Sequence, residues 1–316
     1  MLRFWPLALL APEKAVRYAE QTLYRRKAPS AMMKKKERGR HMQALVTPQW
    51  LRDHVNDPNI LVVDCRFALS NPELGEEQYR EEHISGALYF HLNRDLSGPK
   101  EQHGGRHPIP GEEQLASLFS RSGIDQEVTV IAYDDQEMSY AGRLWWLLRY
   151  AGHDKVAVLD GGFAAWKNAG YPVTSEIPVP KPRTFVPRIQ TSMLVDCKGV
   201  ETRSKETALL DSRAGERYRG EVETLDPKAG HIPGALHYFY KDSLSADGRM
   251  LPEEALKRRF EAFEGKEIIV YCGSGVTACT NLLALHAAGR PDAKLYAGSW
   301  SDWVSYENNP VATGDE

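Results

Sequence analysis

Four stretches of this 316-residue chain occur twice, in the same order. LVVDCRF (61–67) pairs with LLDSRAG (209–215), and EEHISGALYF (81–90) with AGHIPGALHYF (229–239). VIAYDDQEMSYAGRLWWLLRYAG (130–152) pairs with IIVYCGSGVTACTNLLALHAAG (268–289), and VLDGGFAAWKNAGYPV (158–173) with LYAGSWSDWVSYENNPV (295–311). Four blocks in one order at a nearly constant offset are a tandem duplication. The chain must therefore fold as two similar units, and its length suits two domains of ordinary size.

Each copy alternates short apolar runs with helical patterns, which predicts an α/β fold with a parallel sheet covered by helices on both faces. In the first copy LVVD, VTVIAY and VAVL read as strands, with LASLFSR and AGRLWWLLRYAG as helices. Between the copies SEIPVPKPRTFVP carries prolines at 178, 180, 182 and 187. Such a segment is stiff, extended and unable to join a central strand. The expected division is thus a leader at 1–41, a first domain at 42–175, a proline-rich linker at 176–190 and a second domain at 191–316. The cleft between the two copies is the natural place for a substrate.

The copies differ at one position that matters for chemistry. Aligning VIAYD with IIVYC sets Asp134 opposite Cys272. Cys272 follows the β-branched run EIIVY and precedes VTACTNLLALHAAG, a helical pattern closed by Gly289. It therefore lies at the carboxyl end of a strand, the ligand-binding edge of an open α/β sheet. A thiol of ordinary pKa, about 8.5, is mostly protonated at neutral pH, whereas the thiolate is the nucleophile. A helix N-terminus favours the anion by about 0.3–1 kcal/mol. Gly273 and Gly275 let the backbone of Gly273, Ser274, Gly275, Val276, Thr277 and Ala278 curl so that its amides point inward as an anion cradle. The first copy, lacking the thiol, is expected to be a scaffold that supplies one wall of the cleft.

Composition narrows the remaining classes. A formal net charge of −3 gives no reason to expect a nucleic-acid partner. Four cysteines without CxxC or CxxH spacing argue against a zinc site and a disulfide framework, and point to a reducing compartment, the cytoplasm by default. No stretch approaches the roughly 18 apolar residues of a membrane span. Residues 1–41 are basic and read in three ways: a signal peptide interrupted by Pro6, a mitochondrial-type presequence, or a start set upstream of a natural one at Met42. The third is preferred, because MQALVTPQWLRDHV looks like a domain start.

The duplicated layout, the pairs Asp64/Arg66 and Asp211/Arg213, HISGA and HIPGA, and CGSGVTA together resemble the tandem-domain rhodanese family of sulfurtransferases. The resemblance covers nearly everything from Met42 onward. Within that family the C-G-S-G-V-T loop resembles the 3-mercaptopyruvate group, whereas thiosulfate-preferring members typically carry C-R-K-G-V-T. It implies two steps without metal or organic cofactor. Cys272 takes the sulfane sulfur from a small-molecule donor, holds it as a persulfide, and passes it to a thiol, cyanide or a thioredoxin-like acceptor.

The resemblance also assigns roles by position. Arg217, in ERYRGE, matches the arginine that binds the donor's anionic end. A second arginine, usual before H-I-P-G in the mercaptopyruvate group, is absent from EVETLDPKAG, whose only base is Lys228; Lys228 and the preceding Arg219 are the substitutes at hand. Ser274 and His83 match a serine–histidine–acid relay, with Glu73, Glu76 and Glu77 offering no clear acid. His83 and His231 recur at one place in both copies, which favours a structural role as strongly as a catalytic one. Duplication also makes Arg66 and Arg213 members of fold-holding ion pairs. Phe67, Trp300 and Trp303 are read as core or cleft-lining aromatics, and Cys65 and Cys197 as buried small residues. Cys279 is two helical turns from Cys272, a rise of about 10 Å, beyond the ~7 Å Cα separation that a disulfide tolerates.

Two rivals are weaker. A C-x5-R phosphatase needs an arginine at 278, where the chain has Ala278. A binding-only module is what the first copy has become, with Asp134 for the thiol, but the second keeps Cys272 and its whole loop. The expected function is sulfur transfer from 3-mercaptopyruvate, with thiosulfate as the alternative donor on the same site.

Overall fold

The computed structural model describes residues 43–315. Residues 1–42 and 316, with the leader expected at 1–41, lie outside the described residues. The first copy forms β1 (Leu45–Val46), β2 (Ile60–Asp64), β3 (His83–Ile84), β4 (Leu88–Tyr89), β5 (Thr129–Tyr133), β6 (Val156–Leu159) and β7 (Val173–Thr174). The second forms β8 (Leu194–Val195), β9 (Ala208–Asp211), β10 (Leu236–His237), β11 (Ile268–Tyr271) and β12 (Lys294–Tyr296). Two five-stranded sheets result, ordered β1-β6-β5-β2-β4 and β8-β12-β11-β9-β10. Every pairing within them is parallel. The two orders correspond strand for strand, so the duplication in sequence is a duplication in topology. Ile131, Ala132 and Tyr133 of β5 and all four residues of β11 are buried, as expected of strands covered on both faces.

Two helices are buried almost all round: Ser139–Tyr150, from Ser139 to Leu148, and Ala278–Ala287, from Ala278 to Leu285. Each follows the central strand of its own sheet and packs on the other. A Cβ on Gly142 would lie 3.4 Å from the carbonyl carbon of Cys279, which marks how near the two backbones come. A helix enclosed by its own sheet and a partner helix has no solvent face, which explains why these stretches are apolar on nearly every side, with Arg143, Thr280 and Asn281 among the buried exceptions. The helix after Cys272 begins at Ala278, two residues later than the pattern VTACTNLL suggests, and ends as expected before Gly289, whose φ is 88°.

Residues 175–190 form no regular element and lie along the first domain. Arg183 and Phe185 donate their amides to the carbonyl and hydroxyl of Ser120, and Arg188 and Gln190 theirs to the carbonyls of Ala151 and Tyr150. Phe185 is buried edge-on to Phe119, 5.0 Å between ring centroids.

The repeated D-x-R and H-I-x-G-A motifs form one device, built twice. Arg66 pairs with buried Asp64 at 2.6 Å and donates to the carbonyl of Glu82, just before His83. Arg213 does the same with Asp211 and the carbonyl of Gly230, just before His231. His83 stacks on Tyr79 and His231 on Tyr218, and each meets the carbonyl of that tyrosine through Nδ1. His83 also meets the carbonyl of Glu176 through Nε2. The relay expected of His83 is therefore corrected. Both of its ring nitrogens are engaged by main-chain carbonyls, and its double in the second copy meets the matching tyrosine carbonyl through Nδ1.

Candidate active site

The backbone around Cys272 is held from both sides. Its amide donates to the hydroxyl of Ser299 at 3.1 Å, and its carbonyl accepts from Trp300 at 3.0 Å. Ser299 has a φ of 58°, rare for a residue with a side chain. Gly162 has the same φ in the first copy. The serine keeps this conformation because its hydroxyl joins Cys272 N–H to the carbonyl of Tyr296. Gly275 turns the loop at a φ of 74°, and a Cβ there would lie 2.3 Å from the carbonyl oxygen of Ala297. Only glycine fits at that position.

The first copy shows what this turn is built to hold. The Asp134 carboxylate, opposite Cys272, accepts main-chain N–H bonds from Gln136, Met138, Tyr140 and Ala141 at 2.8–3.0 Å. Four donors on one buried side chain make an anion cradle filled by the chain's own carboxylate. Burial nonetheless pushes the Asp134 carboxyl up to about 6. In the second copy the main-chain N–H groups of Gly273 to Ala278 find no acceptor among the described residues. Cys272, at the start of this loop, is buried, 2% exposed.

A cavity of about 70 Å³ opens over the thiol. The second domain gives it Arg217, Leu225 and the Cys272–Thr277 loop; the first gives Leu69, Leu92, Arg106, His107 and Tyr140. Arg106 and His107 arrive on a segment that docks onto the second domain. His103 bonds Ser305, the amide of Gly104 donates to Asp302, and the amide of Arg106 to Ser301. Both guanidinium groups converge on Gly273, where a Cβ would lie 3.0 Å from Arg106 Nη2 and 3.3 Å from Arg217 Nη1. Their outer edges are held by carboxylates: Arg217 by Glu223 at 2.7 and 2.8 Å, and Arg106 by Asp226, which also lies 3.5 Å from Arg217. Ser274 Oγ lies 2.8 Å from His107 Nδ1. Burial pushes the His107 imidazole down to about 3, with Arg143, Arg106 and Lys100 adding to the shift, so the ring is neutral near pH 7.

A family model for the rhodanese-like domain matches the chain twice, over residues 47–169 and 198–306. The chain is 47% identical over 279 residues to a protein of Pseudomonas aeruginosa named probable 3-mercaptopyruvate sulfurtransferase, covering 86% of this chain and 98% of that one. The chain belongs to the rhodanese family. Like those relatives it is an enzyme, a sulfurtransferase. It is also 33% identical to the thiosulfate sulfurtransferase of Mus musculus, over 83% of this chain and 92% of that one. Among solved structures it superposes on the 3-mercaptopyruvate sulfurtransferase of Leishmania major with a TM-score of 0.74 at 29% identity, over 85% of this chain and 76% of that one. The Escherichia coli enzyme SseA gives 0.73 at 31%, over 82% of this chain and all of that one.

Within this rhodanese-family chain the structure brings Cys272, its loop and Arg217 together and leaves His83 outside. Lys228 and Arg219, weighed as stand-ins for a second arginine, are both engaged elsewhere, with the carbonyl of Glu307 and the carboxylate of Glu221. Glu73 and Glu76 pair with Arg94, and no acid stands behind Ser274 from that stretch. The second guanidinium comes instead from the first domain. One signal could have found it. GRHPIPGEEQL (105–115) has a shorter counterpart in GRMLPEEAL (248–256), and only the first-copy version carries a histidine after the arginine. Cys279 is buried, and its thiol is pushed up to about 12 by burial. All four cysteines are free, and Cys197 is half-buried beside Asn309 rather than in the core. Phe67, Trp300 and Trp303 are buried, Phe67 edge-on to the cavity-lining Tyr140. No helix among the described residues is long and apolar enough to cross a membrane.

Proposed function

We propose that this sulfurtransferase takes sulfane sulfur from 3-mercaptopyruvate and carries it as a persulfide on Cys272. The Cys272 thiolate attacks the donor's sulfur. An S–S bond forms, the C–S bond breaks, and the electron pair leaves as the enolate of pyruvate. The donor's thiol proton ends on the enolate carbon, and the outer sulfur remains as an anion within the N–H groups of Gly273 to Ala278. Arg106 and Arg217 bind the donor carboxylate, a fork-to-carboxylate match that a lysine does not offer.

The Ser274–His107 hydrogen bond carries the choice of donor. An enolate leaving group needs a proton, and a neutral imidazole behind a hydroxyl can pass one. Sulfite leaving from thiosulfate needs none, so this pair would then have no task. The Pseudomonas relative's name agrees with this reading. The acceptor is a thiol, cyanide or a thioredoxin-like protein. Four free cysteines suit a reducing compartment such as the cytoplasm, or the mitochondrion if residues 1–41 act as a presequence.

Side-by-side kcat/KM values for 3-mercaptopyruvate and thiosulfate, with cyanide as common acceptor, test the donor. The expected preference for mercaptopyruvate is about tenfold or more, equivalent to ~1.4 kcal/mol of transition-state stabilisation. A tenfold preference for thiosulfate reverses the assignment. Intact-mass measurement after donor alone should show one added sulfur, lost together with all transfer in Cys272→Ser.

A further inference from the structure

Arg143 is fully buried in the helix Ser139–Tyr150 of the first domain and points across the interface. It donates to the carbonyls of Leu96, His107 and Pro108 in its own domain and, at 3.1 Å, to the carbonyl of Gly275 in the Cys272 loop. All four partners are neutral. A buried guanidinium without a carboxylate is an expensive arrangement unless an anion is generated beside it.

The other charged and titratable groups lining the cavity over Cys272 are already accounted for. Arg106 and Arg217 are engaged by Asp226 and Glu223. His107 is neutral, and burial pushes the Tyr140 hydroxyl far above physiological pH. Burial lowers the Arg143 guanidinium; Cys279, which it also meets by a side-chain hydrogen bond, acts most against that shift, and Cys272 next. Cys279, raised to about 12, stays a thiol. That leaves Cys272.

We propose that Arg143 is the resident counter-cation of the Cys272 thiolate, supplied across the domain interface by the copy that has no thiol. It acts as a positioning residue, holding the loop at Gly275 and placing a fixed positive charge beneath it. The first domain thereby contributes to ionisation of the nucleophile, beyond forming a wall. The proposal rests on Cys272 as the sulfur carrier, but its test does not need sulfur transfer.

The alkylation rate of Cys272 by iodoacetamide, followed on the Cys272 peptide by mass spectrometry across pH, reads thiolate formation directly. The full chain is compared with Arg143→Gln and Arg143→Lys. In the glutamine variant the midpoint should rise by about one unit or more, a tenfold slower reaction at pH values below the midpoint of the unchanged protein. In the lysine variant, which keeps the charge but cannot span four carbonyls, it should stay within about 0.3 unit. A glutamine variant with an unmoved midpoint and reduced transfer would show a merely structural clamp and overturn the proposal. Should the glutamine variant not fold, the lysine variant decides, and a rise of about a full unit there overturns it. If Cys272 takes no sulfur from any donor while the midpoints behave as stated, the sulfur-carrier reading fails and the electrostatic one stands.

Discussion

Replacing Arg106 by Met removes one of the two guanidinium groups that converge on Gly273, without touching the thiol or its loop. A charge-assisted hydrogen bond contributes about 1.5–3 kcal/mol, which at 1.4 kcal/mol per decade is about 12- to 140-fold. The loss should fall on kcat/KM for 3-mercaptopyruvate, chiefly as a higher KM, because the carboxylate is bound alike in ground and transition states. A second effect runs in the same direction. Asp226, which holds Arg106, would be left with Arg217 as its remaining cation, now 3.5 Å away, and would draw it from the donor. Arg106→Lys should recover only part of the loss, since an ammonium offers no fork. Asp226→Asn should lower KM by releasing Arg106, while Arg217 keeps its pair with Glu223. The assay is thiocyanate formation at saturating cyanide with the donor varied. If Arg106→Met leaves KM within about twofold of the unchanged enzyme, Arg106 is only a strut tying the first domain to Asp226, and the two-arginine clamp is wrong.

Three further outcomes follow from the geometry. His107→Gln should lower kcat with 3-mercaptopyruvate by about 10²-fold, the usual worth of a positioned proton donor. Steady-state kinetics should show thiosulfate turnover reduced far less, and equal losses on both donors would remove the relay. His83→Gln should lower stability by about 1–3 kcal/mol in urea unfolding, by stranding a buried carbonyl, while kcat stays unchanged. Asp134 has a carboxyl raised to about 6 in the fold from an ordinary 3.8. Its contribution to stability is therefore complete below the ordinary value and is lost as pH rises through 6. Relative to Asp134→Asn, the unchanged protein should thus lose about 3 kcal/mol between pH 3.5 and 7.5. Urea unfolding at the two pH values measures the difference, and a constant gap would show that burial does not set the Asp134 ionisation.

The legible part of this protein was whatever repeats or alternates. Block order in the duplication anticipates two sheets whose strand orders correspond one for one. The buried runs VIAY and IIVY mark central strands, and the change from Asp134 to Cys272 marks which copy can do thiolate chemistry. Gly273 and Gly275 mark a loop able to aim its amides inward. These are local properties: period, composition and conformational freedom are written in consecutive residues.

Tertiary structure decided which histidine and which second arginine share the cavity with the thiol. His107 stands 167 positions from Ser274, and Arg106 stands 120 from Asp226. They are brought there by the docking of residues 103–106 on Asp302, Ser301 and Ser305 and by two apolar helices packed at Gly142 and Cys279. His83 looked catalytic because a motif matched, yet hydrogen bonds to Tyr79 and Glu176 hold it elsewhere. Contacts between domains depend on how two finished surfaces fit, and no periodicity in either strand or helix records that fit. The sequence by itself determined two parallel-sheet domains and one anion-cradled cysteine. The interface between them determined which side chains of the first domain share a cavity with that cysteine.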